Sequence, residues 1–437
     1  MKVWLGALVG VLVLWQSASA LPQIQSWTTA EGTRVYFAPS HELAIVDVAI
    51  TLDAGSERDG ALAGLSTLTH GLLDKGVAAM DADAIAASFE DVGAQYSTSV
   101  SLDRSMITLR SLSDEVLFQS AAKTLLKVIA QPSFPQGDFE REKNRLLIGI
   151  KNGEQSPAVI INQAFYAALY AGHPYAQPEQ GSAESVQAIQ RADIKKFYQQ
   201  YFLAQTAVVA IVGDLSREQA EQLAVKISQA LNDGDPIEKD RALSDSKIKS
   251  KQTHIIFPSQ QAHVRIGQLG VARGDPDYFS LYVGNHVLGG GGFTSRLVEE
   301  VRSKRGLSYS VYSYFMPLQQ PGPFVIGLQT RADQAQQAVQ VSHDVLAKYQ
   351  AEGPSAEELE LSKRNIISGF PLRIDSNRDV LGYLSMIGYY QLPLSYLADF
   401  SAKIEAVSIE DIRQAFQKRV HLDSLVTIVV GNEEAAE

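Results

Sequence analysis

The sequence predicts an α+β protein made of two homologous domains, each an antiparallel-rich sheet packed with helices. Three observations carry this. Segments of the first half recur, in the same order, in the second. Within each copy, strand runs come first and helix runs follow, a segregation typical of α+β rather than alternating α/β architecture. A polar, proline-containing stretch, "NDGDPIEKDRALSDSKIKSKQ" (232–252), separates the copies and reads as a linker. The chain has 437 residues, 45% of them hydrophobic, which is too long for one ordinary core.

Taken in order, residues 1–20 differ from the rest. Lys2 is followed by an apolar run from Val3 to Trp15 and then by Ala18-Ser19-Ala20, a small-residue cleavage pattern. That run is too short for a bilayer of about 30 Å. It reads as a signal peptide cleaved after Ala20, giving an exported protein expected in the periplasm. The first domain is then expected over 21–235, the linker over 236–252 and the second domain over 253–437. Strands are expected at 46–55, 96–102 and 105–112, from β-branched residues in near-alternation. Helices are expected at 115–130 and 136–152.

The repeat is clearest at the end of each copy. "RADIKKFYQQYFLAQTAVVAIVGDLS" around Asp193 matches "IEDIRQAFQKRVHLDSLVTIVVGNEE" around Asp411. Each is an acid-capped amphipathic helix followed by a β-branched strand that ends at glycine. Upstream, "KNRLLIGI" (143–150) matches "KRNIISGF" (363–370), and "GAQYSTSV" (93–100) matches "GLSYSVYS" (306–313).

Composition excludes several classes. The net charge of -11 disfavours non-specific nucleic-acid binding. The chain contains no cysteine, so thiolate metal sites and cysteine nucleophiles are absent.

One short stretch, "GLSTLTHGLLDKG" (64–76), reads as a single amphipathic helix. Leu65, Leu68, Leu72 and Leu73 form its buried stripe, and Thr67, His70, Gly71 and Asp74 its other face. A helical zinc site would hold two ligands four residues apart on that face. Here there is one histidine and a glycine. A metal held by His70, Asp74 and a third group is an alternative. The bland one is a partly buried, hydrogen-bonded histidine in a vestigial cleft. The other seven histidines (His41, His173, His254, His263, His286, His343 and His421) show no ligand spacing.

With these residues in place, the chain resembles the pitrilysin/insulinase-type zinc metallopeptidases in their half-length, processing-peptidase-like bacterial form. The resemblance spans essentially the whole chain after residue 20. It implies two α+β domains arranged as a clamshell, and in active members an inverted H-x-x-E-H zinc motif with a distal glutamate. The frame aligns without gaps, but the chemistry is lost. Thr67 stands at the first histidine, His70 at the catalytic glutamate, Gly71 at the second histidine and Ile148 at the distal glutamate. The resemblance therefore implies no metal bound by this chain. The second-domain stretch "LGGGGFTSRLVEEVRSKRGLSYSVYS" (288–313) is kept. In the family an arginine and a tyrosine seven residues on hold substrate, and these fall on Arg302 and Tyr309. The plainer reading of that pair is an ion pair of Arg302 with Glu299 or Glu300 and a core tyrosine. Gly289, Gly290, Gly291 and Gly292 suit a backbone that approaches another chain or a ligand, or a plain flexible turn.

The expectation is a non-catalytic, substrate-binding subunit of a heteromeric zinc peptidase. Its partner would be a homologous chain that carries the zinc, its substrate a peptide, with no nucleic acid and no membrane involved. A strand edge near Gln95–Leu102 is expected to pair with extended peptide. The alternatives are a peptide-binding scaffold without proteolysis and a stand-alone metallopeptidase with a non-standard site.

Overall fold

The computed structural model describes residues 22–238, 243 and 250–433. The segment expected to be a signal peptide, residues 1–20, lies outside the described residues, as does most of the expected linker.

The first sheet holds β1 (Gln25–Thr28), β2 (Arg34–Pro39), β3 (Ile45–Leu52), β6 (Gln95–Val100), β7 (Ser105–Leu112) and β8 (Val208–Gly213), in the order β1-β2-β8-β3-β7-β6. A two-residue ladder, β4 (Gly76–Val77) with β5 (Met80–Asp81), stands beside it. The second sheet holds β9 (Lys251–Ile256), β10 (Gln261–Leu269), β11 (Ser308–Phe315), β12 (Pro323–Arg331) and β13 (Val426–Gly431), in the order β11-β12-β10-β13-β9. Read in reverse, this order matches the first sheet strand for strand, with β1 as an addition. The parallel pairs match too: β2 with β8, and β9 with β13, while the other pairings are antiparallel. Strand β9 begins at Lys251, inside the stretch read as linker.

The helices repeat as well. The first half carries α1 (Leu65–Gly71), α2 (Ala82–Glu90), α3 (Glu115–Ala130), α4 (Gln136–Gly153), α5 (Pro157–Leu169), α6 (Ala183–Ala188), α7 (Arg191–Tyr201) and α8 (Arg217–Ala230). The second carries α9 (Tyr278–Asn285), α10 (Ala335–Glu352), α11 (Ala356–Gly369), α12 (Asn377–Tyr389), α13 (Tyr396–Ala406) and α14 (Ile409–Arg419). The acid caps read from sequence form: Asp193 accepts from the Gln190 amide at 2.8 Å, and Asp411 from the Ser408 amide at 2.9 Å. The matched lysines do the same work in both halves. Lys143 Nζ donates to the Gln187 and Ile189 carbonyls at 2.7 and 2.8 Å, and Lys363 Nζ to the Glu405 carbonyl at 2.7 Å. Both therefore neutralise orphan carbonyls at a helix C-terminus.

Periodicity does not reveal that the halves exchange a helix. Helix α5 lies on the second sheet: Ile161, Phe165 and Leu169 share a buried cluster with Val325, Val426, Ile428 and Val430. Helix α12 lies on the first: Val380, Leu381 and Leu384 pack with Ala38, Ala49, Ala210 and Val212. Small residues on the sheet let α12 come close, and Gly388 closes the contact. A Cβ there would stand 2.4 Å from Val208 Cγ1 and 2.6 Å from Tyr36 Cε2. The Gly388 carbonyl also accepts from Arg34 Nη1 at 2.8 Å.

The exchange is fastened at Asp103, in the β6–β7 turn and 1% exposed. Its carboxylate accepts from the Tyr175 hydroxyl, from the Tyr390 hydroxyl at 2.6 Å and from the Gln319 amide at 2.8 Å. Its carbonyl accepts from the Tyr389 hydroxyl at 2.6 Å. The segments after α5, after α12 and between β11 and β12 thus converge on one aspartate of the first sheet.

Candidate functional site

The helix expected over Gly64–Gly76 is shorter than its pattern. Helix α1 ends at Gly71, Leu72 caps it, and Leu73–Lys75 form a tighter turn before the chain enters β4 at Gly76. Gly71 is the weak point, since glycine disfavours helix interiors by about 1 kcal/mol relative to alanine.

The four degenerate positions are placed on α1 and α4, which pack against each other. Thr67 is engaged, its Oγ1 donating to the Glu179 carbonyl at 2.7 Å. Gly71 faces open space: a Cβ there meets nothing within 4 Å. Ile148 is 62% exposed, with no side-chain lone pair to offer. His70 is 2% exposed. Its Nδ1 lies 2.8 Å from the Ser66 carbonyl, its ring centroid 4.9 Å from that of Phe202, and its Nε2 is buried without a partner. Since a carbonyl only accepts, Nδ1 carries the proton. Burial pushes the imidazole down to about 4, so it stays neutral near pH 7. Asp74, the other candidate ligand, pairs with Lys75 at 2.9 Å. Among the described residues, no three histidine, cysteine, aspartate or glutamate side chains gather as a donor set. A three-ligand catalytic zinc site needs such a set. The residues present do not fit the ion.

The start of α1 is held by a residue that carries no motif or spacing signal. Asp59 is buried and accepts from the Gly64 and Ser66 amides at 2.7 and 2.8 Å. Burial nevertheless pushes its carboxyl up to about 7, against the pull of those amides. A raised carboxyl favours the protonated native state. Its contribution is therefore present at low pH and lost as pH rises from the unfolded value near 4 towards 7. Urea midpoints should show wild type losing stability relative to Asp59→Asn between pH 4.5 and 7, by on the order of 1 kcal/mol per pH unit. Parallel pH profiles for the two proteins would contradict this.

In the second half, Arg302 and Tyr309 are brought together, and Phe293 joins them. After α9 the chain makes a π-helical turn, His286–Gly290, and a second one, Val298–Ser303, carries Arg302. Such wide turns often mark functional positions. The glycines serve the packing of their own chain. A Cβ on Gly289 would stand 2.4 Å from Ser313 Oγ, and one on Gly291 2.6 Å from the His286 carbonyl. The approach expected towards another chain or ligand is thus taken up by β11 and the π turn at those two positions. Asn285 and Ser313 tie the two together, at 2.7 Å and 2.9 Å. Gly292, with φ +61, turns the chain so that Phe293 stands out at 77% exposure.

Tyr309 sits in a β-bulge. The register of β11 on β12 slips between Ser308 and Ser310, and Ser308 Oγ donates to the Ser310 and Gln329 carbonyls at 2.7 and 2.6 Å. The bulge re-aims the tyrosine, which is 84% exposed rather than a core residue. Arg302 Cζ stands 4.8 Å from the ring centroids of both Phe293 and Tyr309. The ion pair read as the plain alternative does not form. Glu299 and Glu300 pair with Lys304, and Glu300 also with Arg305. No carboxylate pairs with Arg302 among the described residues. Its guanidinium is held between two exposed rings with its donors available, each ring contributing about 0.5–1 kcal/mol. Phe293 went unread because it sits beside a glycine run. An aromatic residue in an otherwise small and polar turn was the available signal.

Fold and site together define a duplicated α+β protein in which no metal donor set gathers among the described residues. Comparison with known proteins gives the family. The family model "Insulinase (Peptidase family M16)" matches residues 34–181, and "Peptidase M16 inactive domain" matches 188–366. A crystal structure of a peptidase M16 inactive domain from Pseudomonas fluorescens superposes with a TM-score of 0.90 at 39% identity, covering 94% of this chain and 98% of that one. A Helicobacter pylori protein named a non-peptidase homolog is 26% identical over 388 residues, 87% of each chain. A Bacillus subtilis protein named an uncharacterized zinc protease is 25% identical over 356 residues, 81% of this chain and 85% of that one. The chain belongs to the insulinase family of peptidases, M16, and its second half matches the model of that family's inactive domain.

Proposed function

We propose that the chain is the non-catalytic, substrate-binding subunit of a heteromeric zinc peptidase of the periplasm, acting on peptides. Its partner is a homologous chain with an intact H-x-x-E-H motif, which supplies the zinc and the general base. The observation that carries this is an asymmetry. All four chemical positions of the first half depart from the family motif, while Arg302 has no carboxylate partner among the described residues and is held between Phe293 and Tyr309. A guanidinium and a phenol in such a setting donate to a peptide carbonyl or to its developing oxyanion. The outer position of β6 in its sheet leaves one backbone edge open for an extended peptide.

The test is reconstitution with a homologous chain that carries the motif. Arg302→Ala is expected to lower kcat of the pair by about 100-fold, the scale of losing one transition-state donor. Tyr309→Phe and Phe293→Ala are expected to lower it less, by about 10-fold, with association of the two chains unchanged. Full turnover in all three variants would remove the substrate-binding role. Failure of the chains to associate would favour a peptide-binding scaffold.

A further inference from the structure

A cavity of about 460 Å³ lies between the segment before α9 and the α12–α13 connection, on the second half. Its volume falls in the range of small-molecule sites, about 300–1,000 Å³. Tyr278, Phe279, Tyr396 and Leu392 form its apolar walls, and Arg273 and Lys403 line it. The charges are unevenly used. Asp275 is taken by Arg419 at 2.8 Å, and Asp411 caps α14 through the Ser408 amide at 2.9 Å and hydroxyl at 2.6 Å. Neither cation has a carboxylate partner among the described residues. Arg273 is fixed rather than mobile. Its Nη2 donates to the Pro317 carbonyl at 3.0 Å, and its Cζ stands 5.8 Å from the Tyr278 ring and 5.4 Å from the Tyr390 ring. Its Nε is buried and has no acceptor. Lys403 Nζ rests 5.3 Å from the Phe279 ring centroid.

A guanidinium held in place with no carboxylate partner recognises a carboxylate well. We propose that this cavity binds a carboxylate carried on an apolar body, with Arg273 and Lys403 receiving the charge and the aromatic walls the hydrocarbon. That chemistry belongs to free organic acids and to the C-terminal residue of a peptide alike. The proposal does not rest on the peptidase partnership, because it is measured on this chain alone.

The test is calorimetric titration of the full chain with 4-phenylbutyrate and with the tetrapeptide Ala-Ala-Ala-Phe, each against its amide. Binding of an acid at least tenfold tighter than its amide is expected, and the tighter of the two acids names the source. Arg273→Gln should weaken binding at least tenfold, and Lys403→Met several-fold. Ala406→Trp, at a lining position, should abolish binding by filling the space while leaving every charge in place. If Arg273→Gln fails to fold, the other two variants decide. Equal affinity for acid and amide, no binding of either acid at millimolar concentration, or undiminished binding by folded Ala406→Trp would overturn the proposal.

Discussion

Asp103→Ala is expected to lower unfolding free energy by about 3–5 kcal/mol, the scale for removing one partner of a buried, charge-assisted network. The substitution deletes the acceptor of the Tyr175 and Tyr390 hydroxyls and of the Gln319 amide at once. The aspartate is 1% exposed, and the Tyr175 ring is fully buried, so that hydroxyl has no water to turn to. Burial, with the Asp103 charge beside them, pushes both phenols above their ordinary range. They therefore remain donors through neutral pH. Asp103→Asn keeps one acceptor oxygen and should cost less, about 1–2 kcal/mol. Tyr390→Phe should cost about 1 kcal/mol, since it removes a single bond. Urea unfolding checks the order of the three. A loss below about 1 kcal/mol for Asp103→Ala would mean that the halves are held by the exchanged helices alone.

That network also shows where sequence reading stops. The duplication was legible because matched residues must solve the same local problem twice. Lys143 and Lys363 each meet helix carbonyls, and Asp193 and Asp411 each cap a helix. Strand positions were legible from alternation, to within a few residues. The exchange of α5 and α12 was not. A periodic apolar face says that a helix is covered, but not by which sheet. Gly388 gave no hint either, since its role lies in the distance to Val208 and Tyr36. Asp103 reads as an ordinary turn aspartate until three distant segments are brought to it. At the candidate site, the motif positions Thr67, His70, Gly71 and Ile148, like Arg302 and Tyr309, were assigned by the family resemblance and not by composition or spacing. The exposure of Tyr309 depends on a bulge, which is a property of strand pairing and so of residues on β12 as much as β11.

Restoring three side chains is expected to restore metal binding. A chain carrying Thr67→His, Gly71→His and Ile148→Glu should take up one zinc ion per molecule, with a dissociation constant on the order of micromolar or tighter, as two imidazoles and one carboxylate make a catalytic-type donor set. Positions 67 and 71 are one helical turn apart on α1, so their Cβ atoms lie about 5–6 Å from each other on one face. A Cβ at Gly71 meets nothing within 4 Å, and any ordinary residue there improves the helix. Thr67→His gives up one hydrogen bond to Glu179, a cost of about 1 kcal/mol. Ile148 is 62% exposed on the helix packed against α1, so its replacement forfeits little burial. Dialysis against zinc followed by metal analysis reads the result. The single variants should retain no more metal than wild type, because one added donor leaves the set incomplete. Peptide hydrolysis should not return with the ion. The position of the catalytic base is held by His70, whose ring is sealed against Phe202 with its proton on the Ser66 side. Zinc binding without turnover would separate the two losses, one of donors that stand at the surface of an intact frame, the other of a base whose place has been absorbed into the core. A triple variant that binds no more zinc than wild type would mean that α1 and α4 have shifted apart, and that the frame was lost with the side chains.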